Sequence, residues 1–127
     1  MVEDTVPPEL ILVADDDPDL VALISRRLQR SGYAIVTAAD GEQALSMAQQ
    51  FLPQLAIIDV MMPKLTGLDV IDQLRNEPAT KEILVILISA GFDRDPTSGL
   101  TAHADDYIKK PFGAQELPTR VRALLAR

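Results

Sequence analysis

The stretch Leu10-Ile11-Leu12-Val13-Ala14-Asp15-Asp16-Asp17-Pro18 decides how the rest of the chain is read. Five apolar residues are too few for a buried helix. A run that is apolar at every position has no solvent face, so it reads as a strand covered on both sides. Three carboxylates follow at once, then a proline where a first helical turn tolerates one. A strand that ends in charge and turns directly into a helix is the opening of a parallel α/β unit.

The same alternation continues downstream. Leu20, Ile24 and Leu28 recur every four residues until Gly32 closes the helix, and Ala34 to Thr37 reads as a second strand. Asp40 can cap a helix with the apolar face Ala44, Ala48 and Phe51, which ends before Pro53. Leu55 to Ile58 is a third strand, and Thr66 to Asn76 is a helix through Leu68, Ile71 and Leu74. Ile83 to Ile88, rich in β-branched residues, is the central strand, and Tyr107 to Lys109 is a short fifth one. Ala114 to Arg127 is helical through Leu117, Val121 and Leu124, with Pro118 expected to disturb its first turns. Residues 1–8 end in Pro7-Pro8 and read as an extended arm, leaving 9–127 as the domain. The expected architecture is α/β, a parallel sheet with right-handed crossovers and helices on both faces.

Composition narrows the function. With 127 residues there is room for one domain. Twelve Lys and Arg against 19 Asp and Glu give a net charge of −7, which argues against nucleic acid as the direct partner. Aromatics are only 4% of the chain, so the core is aliphatic and base-stacking platforms are scarce. Arg26, Arg27, Arg30, Arg120, Arg122 and Arg127 therefore read as solvated faces or partner contacts. The absence of Cys excludes disulfides, zinc-thiolate sites and a thiol nucleophile. The longest purely apolar run, Ile83 to Ile88, is far short of a membrane span, and Met1-Val2-Glu3-Asp4 is acidic where a secretory signal would be basic. The expected location is the cytoplasm.

Ligands of open parallel sheets bind outside the carboxyl ends of the strands. Asp15-Asp16-Asp17 follows the first strand, Asp59 the third, Ser89 the fourth and Lys109-Lys110 the fifth. Two unit charges about 4 Å apart repel by roughly 4 kcal/mol at an effective dielectric of about 20. A hard divalent cation such as Mg²⁺ relieves that repulsion and keeps waters for a phosphate. The pattern is thus a phosphoryl-transfer site in outline. Asp59 can be the nucleophile, Asp15 and Asp16 would hold the metal, Lys110 would pair with a phosphoryl oxygen and Ser89 would donate to another. On that reading Lys110 and Ser89 act on the phosphorylated state rather than on folding.

Four ordered blocks carry a family resemblance. Ile11 to Pro18, Ile58-Asp59-Val60-Met61-Met62-Pro63 with Gly67, Ser89-Ala90, and Ala104-Asp105-Asp106-Tyr107-Ile108-Lys109-Lys110-Pro111-Phe112 resemble the receiver domain of two-component response regulators. The resemblance covers residues 9–127. It implies a flavodoxin-like, doubly wound five-stranded sheet of order 2-1-3-4-5. It also implies that Asp59 is the phosphoacceptor, and that Asp16, Asp59 and the backbone carbonyl of Met61 ligate Mg²⁺ with Asp15 helping through water. Lys110 matches the motif's lysine, Lys109 its variable neighbour, and Ser89 and Tyr107 the hydroxyl and aromatic switch positions. The implied partners are a histidine kinase or histidine phosphotransfer protein and an output domain or target protein, with no direct nucleic acid, no membrane, and a monomer or weak homodimer. The chain departs from the pattern over Gly91 to His103, one residue short of the common spacing. Thr97, Ser98, Gly99 and Thr101 are poor helix formers there, and Leu100, Ala102 and Ala104 recur every two positions, so a shortened or displaced fourth helix is expected.

Plainer readings stand beside these. Asp17 precedes Pro18 and can simply cap the first helix; Asp40 likewise. Tyr107 can be a strand aromatic packed on the last helix, and His103 has no partner in sequence for general-base work. Asp69, Asp72 and Asp93 read as solvated. A degenerate receiver serving as an unphosphorylated scaffold is the alternative function, opposed by the joint presence of Asp16, Asp59, Ser89 and Lys110. A flavin carrier with the same sheet order would need a phosphate-cradling Gly, Ser or Thr loop where this chain has three carboxylates, and a phosphatase with an Asp-x-Asp loop is disfavoured by Val60-Met61 after Asp59.

Overall fold

The computed structural model describes residues 7–90 and 103–126. Strands β1 (Leu10–Ala14), β2 (Ala34–Ala38), β3 (Leu55–Asp59), β4 (Leu84–Ser89) and β5 (Asp106–Lys109) alternate with helices α1 (Pro18–Arg30), α2 (Gly41–Phe51), α3 (Gly67–Arg75) and α4 (Glu116–Leu125). All strand pairs are parallel and the sheet order is β2-β1-β3-β4-β5. The expected helix between Ser89 and Lys110 falls on residues 91–102, and most of the expected arm on residues 1–6, both outside the described residues.

Strand periodicity divides the core into two layers. Leu12, Ala14, Ala56, Ile58, Val85 and Leu87 pack with Ala44 and Ala48 of α2 and Val70, Ile71 and Leu74 of α3. Their alternates Ile11, Val13, Leu55, Ile57, Ile86 and Ile88 pack with Ile24 and Leu28 of α1 and Leu117, Val121 and Leu124 of α4. Successive strand side chains point to opposite faces, so covering both faces demands the unbroken apolar runs seen in the sequence.

Local chemistry sets the helix ends. Asp17 accepts from the amides of Asp19 and Leu20, so its capping role is real, and Asp40 caps α2 through the amide of Gln43. Thr66 and Asp69 form a reciprocal capping box at α3. Gly32, at φ +97°, takes the left-handed position after α1. Two expectations need correction. Phe51 is 44% exposed rather than part of the buried face of α2, because the helix ends there and Leu52 turns left-handed at φ 48°. The last helix begins at Glu116 rather than Ala114, which places the buried Pro118 in its first turn, where no intrahelical donor is lost.

One arginine, unremarked by its sequence context, ties α3 to the far end of the sheet. Arg75 donates to the carbonyls of Lys81 (2.9 Å), Ile83 (2.7 Å) and His103 (2.9 and 3.1 Å) and to Asp105 Oδ2 (3.2 Å). Asp105 Oδ2 also accepts from the Val85 amide at 2.8 Å, so the start of β5 is pinned beside the start of β4. Arg75→Ala would leave several acceptors without a donor and is expected to cost about 2–3 kcal/mol of stability. Urea unfolding followed by far-ultraviolet circular dichroism measures it, and a loss below about 0.5 kcal/mol would show that water replaces the guanidinium without penalty.

Candidate functional site

The strand order creates the site. From β1 the chain crosses to β2 on one side, then returns to β3 on the other, so the carboxyl ends of β1 and β3 flank the point where the winding reverses. Register pairs Ala14 with Ile58, and the next residues, Asp15 and Asp59, emerge side by side. Both are nearly inaccessible, at 1% and 4%, whereas Asp16 is exposed. One carboxylate oxygen from each of Asp15, Asp16 and Asp59 lies within 4.8 Å of the others.

The fifth strand delivers the counter-charge. Lys110 Nζ lies 2.9 Å from Asp15 Oδ2 and 3.4 Å from Asp59 Oδ1. Its amide donates to the Ser89 carbonyl at 2.6 Å, which extends the β4–β5 pairing to the edge of the site. Asp15 Oδ1 accepts from the Asp17 amide at 3.0 Å, so the buried carboxylate is fixed from both sides. Ser89 is buried and stands one position beyond Ile88, the partner of Asp59 across the strands. Met61 follows Asp59 in the β3–α3 loop and is 57% exposed.

Two expectations change here. Lys110 is not reserved for a phosphoryl oxygen, because its ammonium is paired with Asp15 and Asp59. Tyr107 packs with the α2 and α3 layer rather than on the last helix, and its hydroxyl is buried with no hydrogen-bond partner among the described residues. His103 contributes its carbonyl to Arg75.

Burial, reinforced by the neighbouring Asp15 and by Asp16, pushes the Asp59 carboxyl up to about 6, with Lys110 acting in the opposite direction. For Lys110, burial lowers the affinity for its proton, but the hydrogen bond and charge of Asp15, together with Asp59, outweigh it and raise the net value. Three clustered oxygen donors, two of them buried, suit a hard cation such as Mg²⁺, and the donor set fits that ion.

The family model of the response regulator receiver domain matches residues 11–122. The chain belongs to the response-regulator receiver family. It is 44% identical over 117 residues to the alkaline phosphatase synthesis transcriptional regulatory protein PhoP of Bacillus subtilis, covering 92% of this chain and 48% of that protein. It is 46% identical over 118 residues to the probable transcriptional regulator ycf27 of Cyanophora paradoxa, with 92% and 48% covered. The receiver thus spans about half the length of the curated relatives it matches. Among solved structures, a putative response regulator from Chloroflexus aurantiacus superposes with a TM-score of 0.87 at 36% identity, covering 94% of this chain and 99% of that one. The response regulator TrrA of Thermotoga maritima, in complex with Mg(2+)-BeF, gives 0.83 at 34% identity, with 91% and 98% covered.

A raised carboxyl in the folded state means that the folded receiver holds this proton more tightly than the unfolded chain does. Stability from Asp59 is therefore gained as pH falls through about 6 and is lost above it. Asp59→Asn removes that penalty. In metal-free buffer at pH 8 the variant should be more stable by on the order of 1–2 kcal/mol, and the gain should shrink by pH 5. Urea midpoints across this range check it; a gain independent of pH would assign the effect to something other than ionisation.

Proposed function

We propose that the receiver takes a phosphoryl group from a histidine kinase or a histidine phosphotransfer protein onto Asp59, changes conformation, and loses the group by hydrolysis. The single observation that carries this is the buried Asp59 beside two further carboxylates at the reversal point of the sheet, with Lys110 Nζ 3.4 Å from its oxygen. In the transfer, a carboxylate oxygen of Asp59 forms the bond to phosphorus, the donor's nitrogen–phosphorus bond breaks, and the imidazole keeps the electron pair and takes a proton. Asp16, Asp59 and the Met61 carbonyl would hold Mg²⁺, with Asp15 acting through water. When bound, the metal supplies neutralisation of charge on the transferring oxygens. On this reading Lys110 would leave its resting carboxylates for a phosphoryl oxygen, Ser89 would donate to another, and Tyr107, whose hydroxyl has no hydrogen-bond partner among the described residues, would move in response.

The receiver catalyses its own modification and has no turnover substrate. Residues 9–127 are its working extent, in a cytoplasmic monomer or weak homodimer. Relatives about twice its length are named as transcriptional regulators, one of them, RpaA of Synechocystis, as DNA-binding. In a protein of that build, phosphate contacts to DNA would fall outside the receiver, whose net charge is −7. The scaffold alternative leaves the costly burial of Asp15 and Asp59 against Lys110 without a purpose.

Incubation with Mg²⁺ and acetyl phosphate should add one phosphoryl group, labile to hydroxylamine, and Asp59→Asn should abolish it. Modification that survives the substitution would place the acceptor elsewhere. Lys110→Ala should still accept phosphate, but its amide spectrum should change little on adding a beryllofluoride mimic. A wild-type response in that variant would remove Lys110 from the switch.

A further inference from the structure

The β3–α3 loop, residues 60–66, carries the Met61 carbonyl and is held in a conformation that the loop itself does not favour. Lys64 lies at φ +74°, in the left-handed region that a residue with a Cβ visits at a cost. The Leu65 amide donates back to the Pro63 carbonyl at 2.8 Å, closing a tight three-residue turn across Lys64. Such a turn persists only where its surroundings over-determine it.

Those surroundings are the N-terminus of α2. The Gly41 amide, among the first of that helix and so without an intrahelical acceptor, donates to the same Pro63 carbonyl at 3.1 Å. The loop backbone lies so close that a Cβ on Gly41 would overlap the Leu65 carbonyl oxygen, a backbone atom that cannot swing aside. The far end of the loop is closed by the Gly67 amide, which donates to the Val60 carbonyl at 2.8 Å, with Gly67 packed against the backbone of Asp59. Lys64 Nζ is 3.7 Å from Asp40 Oδ2, a second, exposed tie to the same helix start.

We infer that Gly41 is a positioning residue for the metal site: the bare backbone at the start of α2 seats the β3–α3 loop and thereby sets where the Met61 carbonyl stands relative to Asp59. This rests on the Mg²⁺ reading of the site given above. A side chain at residue 41 would lift Pro63 to Leu65 off the helix. With Gly67 anchoring the loop at its other end, the displacement must be taken up between Val60 and Pro63, the segment that contains the ligand carbonyl.

The test is Mg²⁺ titration followed by amide shifts, with hydrogen exchange on residues 60–66. Gly41→Ala should bind Mg²⁺ about tenfold more weakly or worse, the scale on which loss of support for a metal ligand is felt, with faster exchange confined to the loop. Leu65→Gly, which removes the side chain that packs the loop against the α2 and α3 layer and causes no overlap at Gly41, should weaken binding several-fold and keeps the test open if Gly41→Ala does not fold. Ala48→Gly destabilises α2 away from the seat and should bind within about twofold of wild type. Wild-type affinity in both Gly41→Ala and Leu65→Gly, or an equal loss in Ala48→Gly, would overturn the inference. Absence of any Mg²⁺ response in the wild type would instead overturn the metal reading, and the seat's role with it.

Discussion

Asp15 and Asp59 are two acids buried at neighbouring strand ends, and the receiver depends on the Lys110 ammonium set against both. Desolvation and mutual repulsion each disfavour the ionised pair, and the Asp59 carboxyl rises to about 6 even with Lys110 in place. A Coulomb term of roughly 4 kcal/mol at about 4 Å is a large share of a small domain's net stability. The resting site is therefore held in tension by design of its charges. It attracts positive charge, and Lys110 supplies it at both acids.

That tension is tolerable because the described strands and helices pack closely around it. Each face of the sheet is covered by a layer of branched aliphatic side chains, and the strands pair without interruption from β2 to β5. Lys110 follows β5, whose start is tied to β4 and α3 by Asp105 and Arg75. Loop 60–66 lacks that intrinsic order and is instead pressed onto α2 at Gly41. Rigid strands set the acids and the lysine, while a seated loop sets the carbonyl beside them.

Several residues show where sequence patterning runs out. Phe51 sits at helical spacing from Ala44 and Ala48 yet is exposed, because periodicity does not reveal that the helix stops before its last turn can reach the core. Tyr107, read as a strand aromatic packed on the last helix, lies against the α2 and α3 layer instead, since strand parity fixes alternation but not which helix covers which side. Lys110 was readable as a ligand for phosphate, but its resting partner Asp15 stands 95 positions away and leaves no local trace. Arg75 and Gly41 went unnoticed for the same reason: an arginine ending a helix and a glycine after a cap each have an ordinary local explanation.

From the sequence alone came the alternation of strands and helices, the caps Asp17 and Asp40, and the clustering of Asp15, Asp16, Asp59, Ser89 and Lys110 at one edge. These follow from near-neighbour physics, namely side-chain period, backbone preference, and the rule that ligands gather at carboxyl ends of parallel strands. The family resemblance supplied the strand order that patterning could not. Only the tertiary structure decided the pairing of Lys110 with both acids, the upward shift of Asp59, the clamp at Arg75 and the seat at Gly41. Each of these depends on distances between segments far apart in the chain, and such distances are set by how whole layers pack rather than by any residue's own neighbours.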